Sequence, residues 1–172
     1  MTKIPRPWSL ACALLLCALA LAPSRAAAQL RQRRGEVVEQ DVGRVRQVFD
    51  GDTISVAKVG VVRLIGVDAP EKNGSYRASE PFGDAAARFM STLLEGQVVR
   101  LEYDGPRTDK YKRTLAYVFL ANGQLANLEV IRAGWAEVYR RFEFHRKPAF
   151  LAAEREAQDA KRGMWKTRRP RR

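Results

Sequence analysis

The sequence predicts a small α+β fold, a five-stranded Greek-key β-barrel carrying about three helices. Three observations predict it. The first half of the chain consists of short β-branched runs separated by Asp-Gly and Gly turn signals. Helical spacing of apolar residues occurs once in the middle and twice toward the C-terminus. A length of 172 residues with 46% apolar content suffices for one core of ordinary size, which excludes wholesale disorder.

The elements follow in order. Val42 to Phe49 alternates partly and reads as the first strand; Asp50-Gly51-Asp52 is a turn, and Thr53 to Ala57 resumes a strand. Gly60 marks a second turn, and Val61 to Val67 completes a three-stranded meander. Pro70, in Asp68-Ala69-Pro70-Glu71, has no N–H to give a ladder, so the chain leaves the sheet there. After the polar loop Lys72 to Ser79, Glu80 to Glu95 gathers Phe82, Ala86, Phe89, Met90, Leu93 and Leu94 on one broad helical face, and Gly96 stops it. Val98 to Tyr103 is the fourth strand, Asp104 to Lys112 a charged loop, and Arg113 to Leu120 the fifth strand, with Asn122-Gly123 as a hairpin signal. Two helices follow, Leu125 to Ala133 ending at Gly134, and Pro148 to Arg162 ending at Gly163, with Pro148 well placed in a first turn. A meander, a helix, two strands and appended helices fit a barrel of the OB type; a different α+β sheet fits the same element order. The fold alone licenses no function.

The formal charge of +12 points to polyanions, either nucleic acid or an anionic membrane surface. Its placement is uneven. Lys3 and Arg6 precede an apolar run from Ser9 to Ala22, then Pro23 and the small residues Ala26-Ala27-Ala28, so residues 1–28 read as a secretory signal peptide. The apolar run is shorter than the roughly 20 residues that span a bilayer. Residues 29–41 form a basic arm and lead-in with Arg31, Arg33 and Arg34, residues 42–165 the globular domain, and residues 166–172 a basic tail with Lys166, Arg168, Arg169, Arg171 and Arg172. Between these ends acidic and basic residues nearly balance, so the position of each charge matters more than their number. The expected location is outside the cytoplasm, secreted or periplasmic, with a monomer that has no stable membrane association once the leader is removed. No apolar amphipathic helix adjoins the basic ends to support a membrane-surface role.

Both cysteines, Cys12 and Cys17, fall in the leader, and the chain has one histidine, His145. The mature chain therefore offers no disulfide framework, thiolate nucleophile, Cys-based zinc site or paired-His nuclease site. Any metal must be held by oxygen.

Asp52 opens the second strand and Asp68 closes the third, so an antiparallel pair with a short connection brings them together. Two converging carboxylates repel unless a cation joins them, and hard oxygen ligands select Ca²⁺ or Mg²⁺; a main-chain carbonyl near Ala69 could complete the protein's share. Arg63 lies five residues before Asp68, so strict alternation puts the two on opposite faces, and convergence requires a bulge or twist near Gly66. With that twist, the planar fork of Arg63 grips a phosphate beside the metal. Glu71 could then take a proton from an attacking water, and Arg113 hold the charge that develops on phosphorus.

Asp50-Gly51-Asp52-Thr53, then Arg63-Leu64-Ile65-Gly66-Val67-Asp68-Ala69-Pro70-Glu71, then Thr108-Asp109-Lys110-Tyr111-Lys112-Arg113 resembles the thermonuclease family, whose type member is staphylococcal nuclease. The resemblance runs from about Val42 to Trp165. It implies a Ca²⁺-dependent endonuclease on an OB-fold that hydrolyses DNA and RNA at the P–O5′ bond and leaves 3′-phosphate ends. By motif position it implies Asp52, Asp68 and the carbonyl of Ala69 as calcium ligands, Arg63 and Arg113 as catalytic arginines, Glu71 as general base, and Lys110 and Tyr111 as phosphate-binding residues of the substrate site.

Some positions depart from the type member. Ala69 replaces a Thr that acts through its carbonyl, and Lys112 replaces a Gly beside Arg113. The stretch Val138 to Phe142 matches poorly around the family's nucleotide-stacking tyrosines, leaving Tyr139 and Phe142 open between base stacking and core packing. His145 is expected at the surface, and Trp135 and Trp165 in packing. The alternative reading, a non-catalytic nucleic-acid-binding OB-fold module, is separated by whether the five polar positions are retained, and all five are present.

Overall fold

A computed structural model describes residues 40–74 and 78–167. The expected signal peptide, nearly all of the expected basic arm, and Arg168 onward in the tail lie outside the described residues.

Five strands close into a barrel: β1 (Gln40–Val48), β2 (Thr53–Val56), β3 (Gly60–Leu64), β5 (Val98–Glu102) and β6 (Thr114–Leu120). Around the barrel the order is β1-β2-β3-β6-β5, returning to β1. Every pairing is antiparallel except β3 with β6, the parallel contact that seals the barrel. This is the expected meander followed by a returning pair. The mixed closed sheet with its helices bears out the α+β, OB-type reading.

Alternation explains the core. Val62 and Leu64 point inward from β3, Val99 and Leu101 from β5, and Ala116 and Val118 from β6. Fully burying each Val or Leu contributes about 1.5–3 kcal/mol. Helix α1 (Gly83–Leu94) caps one end with Ala86, Ala87, Met90 and Leu94 buried, and stops where Gly96 turns. Helix α2 (Ala126–Arg132) ends in a paired turn in which Trp135 N–H donates to Val130 O and Gly134 N–H to Ile131 O.

Helix α3 (Lys147–Asp159) ends earlier than the expected Arg162. Lys161 adopts φ 50°, and Arg162 N–H donates back to Ala157 O at 2.8 Å, closing the same kind of C-terminal motif before a short 3₁₀ turn at Gly163–Lys166. The expected third strand is also interrupted. It breaks after Leu64, turns at Ile65-Gly66, and resumes as the two-residue strand β4 (Val67–Asp68). Strand β4 pairs with β7 (Glu137–Val138), a strand too short to leave a period in the sequence. Asn122-Gly123 forms a turn leading to a single bridge, Phe119 with Leu125, and then α2 rather than a further strand.

The side chain of Asn127 is wholly buried and ties these pieces together. Its Oδ1 accepts from Val118 N, and its Nδ2 donates to Ile65 O at 3.0 Å and Ala116 O at 3.2 Å. One amide thereby anchors the β3–β4 turn to β6.

Candidate active site

The Ile65-Gly66 turn is what brings Arg63 and Asp68 to one place. Gly66 has φ 76°, and a Cβ there would lie 2.6 Å from the Phe144 ring, so both its conformation and its surroundings require glycine. The turn undoes the alternation that would have kept the two residues on opposite faces. Arg63 Nη2 comes to 3.8 Å from Asp68 Oδ1, and Arg63 Nη1 pairs with Asp52. The required twist is present, as a turn rather than a bulge.

Asp52 enters the group from the β1–β2 turn. Its amide donates to Asp50 Oδ1 at 2.9 Å, its Oδ1 accepts from the Thr53 hydroxyl at 2.9 Å, and its Oδ2 accepts from Ala69 N at 3.0 Å. The last bond stitches this turn to the segment after β4. Gly51 permits the approach, since a Cβ there would lie 2.5 Å from Ala69 Cβ. Asp52 is buried, whereas half of the Asp68 side chain faces solvent.

Glu71, half-buried, is fixed through its backbone. Glu80 N–H donates to Glu71 O at 2.8 Å, and the start of α1 lies so near that a Cβ on Gly83 would fall 2.1 Å from that oxygen. Arg113 comes from the other side, at the end of the β5–β6 loop. Asp109 Oδ2 accepts from Arg113 Nε and Nη2, each at 2.7 Å. Tyr111 is exposed, with Lys110 Nζ 4.9 Å and Arg113 Cζ 5.4 Å from its ring centroid.

The electrostatics join these groups into one field. Burial, and after it the neighbouring Arg113 guanidinium, lower the Arg63 pKa to about 10 against the opposing pull of Asp50, Asp68 and Glu71. Arg63 therefore remains a cation at neutral pH. Burial raises the Asp50 carboxyl above its ordinary value despite Arg63, Thr53 and Arg113. Burial also pushes Asp109 upward, but the Arg113 amide, its guanidinium and the Tyr111 amide outweigh it and hold the carboxyl below its ordinary value.

Arg63 contacts both Asp52 and Asp68, so one cationic group already spans the two carboxylates. Their all-oxygen chemistry fits a hard divalent cation, and Ala69 is tied to Asp52 through its amide N–H. Among the described residues no set of three or more His, Cys, Asp or Glu side chains forms a ready-made cage, so water and substrate would have to complete the coordination.

Arg63, Asp52, Asp68, Glu71 and Arg113 thus gather at one end of the barrel, with Lys110 and Tyr111 on the adjoining loop. Two open clefts border α1, one lined by Asn73, Glu80, Asp84 and Arg88, the other by Phe89, Leu93 and Trp135; none of the expected site residues lines either. Phe142 is exposed and stacks obliquely on Tyr139, 5.7 Å between centroids. His145 is exposed, Trp165 buried and Trp135 half-buried.

Two acidic residues near the site were not singled out from the sequence. Asp50 braces the turn that carries Asp52, a role foreshadowed by the Asp-Gly-Asp spacing. Buried Glu137 faces Asp68 across the β4–β7 pair, and no sequence signal marks so short a strand.

The family model for the staphylococcal nuclease homologue matches residues 61–167. The chain is 46% identical over 95 residues to a thermonuclease of Staphylococcus intermedius, covering 54% of this chain and 56% of that one. It is 37% identical over 126 residues to a thermonuclease of Staphylococcus hyicus, covering 71% of this chain and 74% of that one. It is 36% identical over 126 residues to an uncharacterized endonuclease of Escherichia coli O157:H7, covering 72% of this chain and 76% of that one. The chain thus spans little more than half the length of the S. intermedius relative.

Proposed function

Because the chain belongs to the staphylococcal nuclease homologue family, we propose that it is a calcium-dependent endonuclease that hydrolyses phosphodiester bonds of DNA and RNA and leaves 3′-phosphate ends. The single observation that carries this reading is the convergence of Arg63 on both Asp52 and Asp68, within the electrostatic reach of Glu71 and Arg113.

Asp52, Asp68 and the Ala69 carbonyl would hold the calcium ion. When bound, it would supply Lewis-acid polarisation of a non-bridging phosphate oxygen. Arg63 binds a second phosphate oxygen through its fork and stabilises charge as phosphorus becomes five-coordinate. Arg113 does the same from the opposite loop. Glu71 orients the attacking water and accepts its proton as oxygen bonds to phosphorus. The P–O5′ bond breaks, the 5′-oxygen leaves and takes up a proton, and the 3′ side keeps the phosphate. Lys110 and Tyr111, exposed beside Arg113, engage a substrate phosphate. The leader-like N-terminus supports a secreted or periplasmic enzyme. Among the described residues no helix is long and apolar enough to cross a membrane.

Digestion of plasmid DNA and of RNA with calcium, magnesium or EDTA, followed by end-group analysis, tests the proposal. Calcium-supported cleavage that EDTA abolishes, with 3′-phosphate ends, is expected. Binding without chelator-sensitive cleavage would favour a non-catalytic module.

A further inference from the structure

The β5–β6 loop is built around one carboxylate. Asp109 Oδ1 accepts from the amides of Tyr111 at 2.9 Å and Arg113 at 3.0 Å. Asp109 N–H donates to Arg113 O at 3.0 Å, and Lys112 N–H donates to Asp109 O at 3.0 Å. A bridge between Thr108 and Thr114 closes the loop beyond them. One oxygen of Asp109 therefore serves the backbone, while the other grips the Arg113 side chain.

That division of labour bears on the chemistry. A free arginine side chain samples many rotamers, and ordering it carries an entropy cost. Asp109 Oδ2 takes the Nε–H and one Nη2–H of Arg113 side-on. Three of the five guanidinium protons remain for another acceptor. The Tyr111 ring flanks the same guanidinium. The held group acts on the proton affinity of Arg63 and on Asp50, so it lies within their electrostatic reach.

We propose that Asp109 is a positioning residue for the reaction. It holds the Arg113 guanidinium by its Nε edge so that the remaining N–H groups meet the phosphate as charge develops. This rests on the reading of Arg113 given above. The held geometry is in place before substrate arrives, so its removal falls on the rate of the chemical step more than on substrate binding.

Asp109→Asn tests it, because the amide oxygen still accepts the two backbone N–H groups while the charged grip on Nε and Nη2 is lost. The kinetic constants kcat and KM are measured on a fluorogenic oligonucleotide at saturating calcium, for Asp109→Asn, Arg113→Ala and the double variant. Thermal melting gives the folded fraction of each. Per folded molecule, Asp109→Asn is expected to lower kcat by about tenfold to a hundredfold, with KM changed by less than about threefold. In the Arg113→Ala background the same substitution is expected to change kcat no further. If Asp109→Asn does not fold, Asp109→Ser, which keeps an oxygen acceptor, carries the same expectation. An impaired Arg113→Ala enzyme alongside a full-rate Asp109→Asn enzyme would overturn the inference alone. So would an equal fold-loss from Asp109→Asn in both backgrounds, which marks a loop effect independent of Arg113. A full-rate Arg113→Ala enzyme would remove the reading of Arg113 and this inference with it.

Discussion

Arg63 Nη2 stands 3.8 Å from Asp68 Oδ1, and the other amino nitrogen of the same guanidinium pairs with Asp52. A planar fork can reach two carboxylates and still present protons to a phosphate, which a lysine ammonium on a flexible stem cannot do in the same geometry. Arg63→Lys is therefore expected to lower kcat by about a hundredfold to a thousandfold while the protein stays folded. Steady-state kinetics with circular dichroism checks it; activity within a few-fold of wild type would show that charge alone suffices.

Gly51 lets the turn carrying Asp52 lie against Ala69. An alanine there would place its Cβ 2.5 Å from Ala69 Cβ and 2.9 Å from Ala86 Cβ. Gly51→Ala is expected to cost about 1–3 kcal/mol in urea unfolding and to displace Ala69 and Asp68 from Asp52. Adding Ala69→Gly removes the nearer clashing atom and is expected to recover part of both stability and activity. No recovery would place the strain elsewhere.

Asp50 carries a raised pKa, caused first by burial. The folded protein therefore binds this proton more tightly than the unfolded chain, and stability is lost as pH rises from the ordinary value near 3.8 through the raised folded value. Asp50→Asn removes that loss and keeps an acceptor for the Asp52 amide. Urea midpoints from pH 3 to pH 7 are expected to show the Asn variant gaining on wild type as pH rises; a gap that narrows over that range would contradict the assignment.

Lys112 holds φ 64° beside Arg113. That left-handed conformation costs a residue with a side chain roughly 1–2 kcal/mol, offset for glycine by about 0.5–1 kcal/mol of extra chain entropy. Lys112→Gly is thus expected to raise stability by up to about 1 kcal/mol, read as a higher melting temperature. An unchanged or lower value would mean that the Lys112 side chain has stabilising contacts.

The legible parts of this chain are those that repeat a period. The meander, the α1 face built on Ala86, Met90 and Leu94, and the turn glycines all follow from spacing and were expected within a few residues. The three motif strings also named the side chains that converge. Alternation along the third strand argued against Arg63 meeting Asp68, because the reversal comes from one left-handed glycine, Gly66, packed under Phe144. Strands β4 and β7 have two residues each and exist through tertiary pairing, held in part by Val138 N–H donating to buried Glu154. The grip of Asp109 on Arg113 was equally hidden, since an Asp in a charged loop reads first as solvated surface.

The central claim is that Asp52 and Asp68 hold the cation on which phosphodiester cleavage depends. Initial cleavage rates of a defined oligonucleotide, measured across a calcium titration for wild type and Asp68→Ala, test it most directly. The account predicts a saturable calcium dependence for wild type, abolished by EDTA, and an Asp68→Ala curve displaced to at least about tenfold higher calcium. Cleavage that EDTA leaves untouched, or coincident curves for the two proteins, would contradict it.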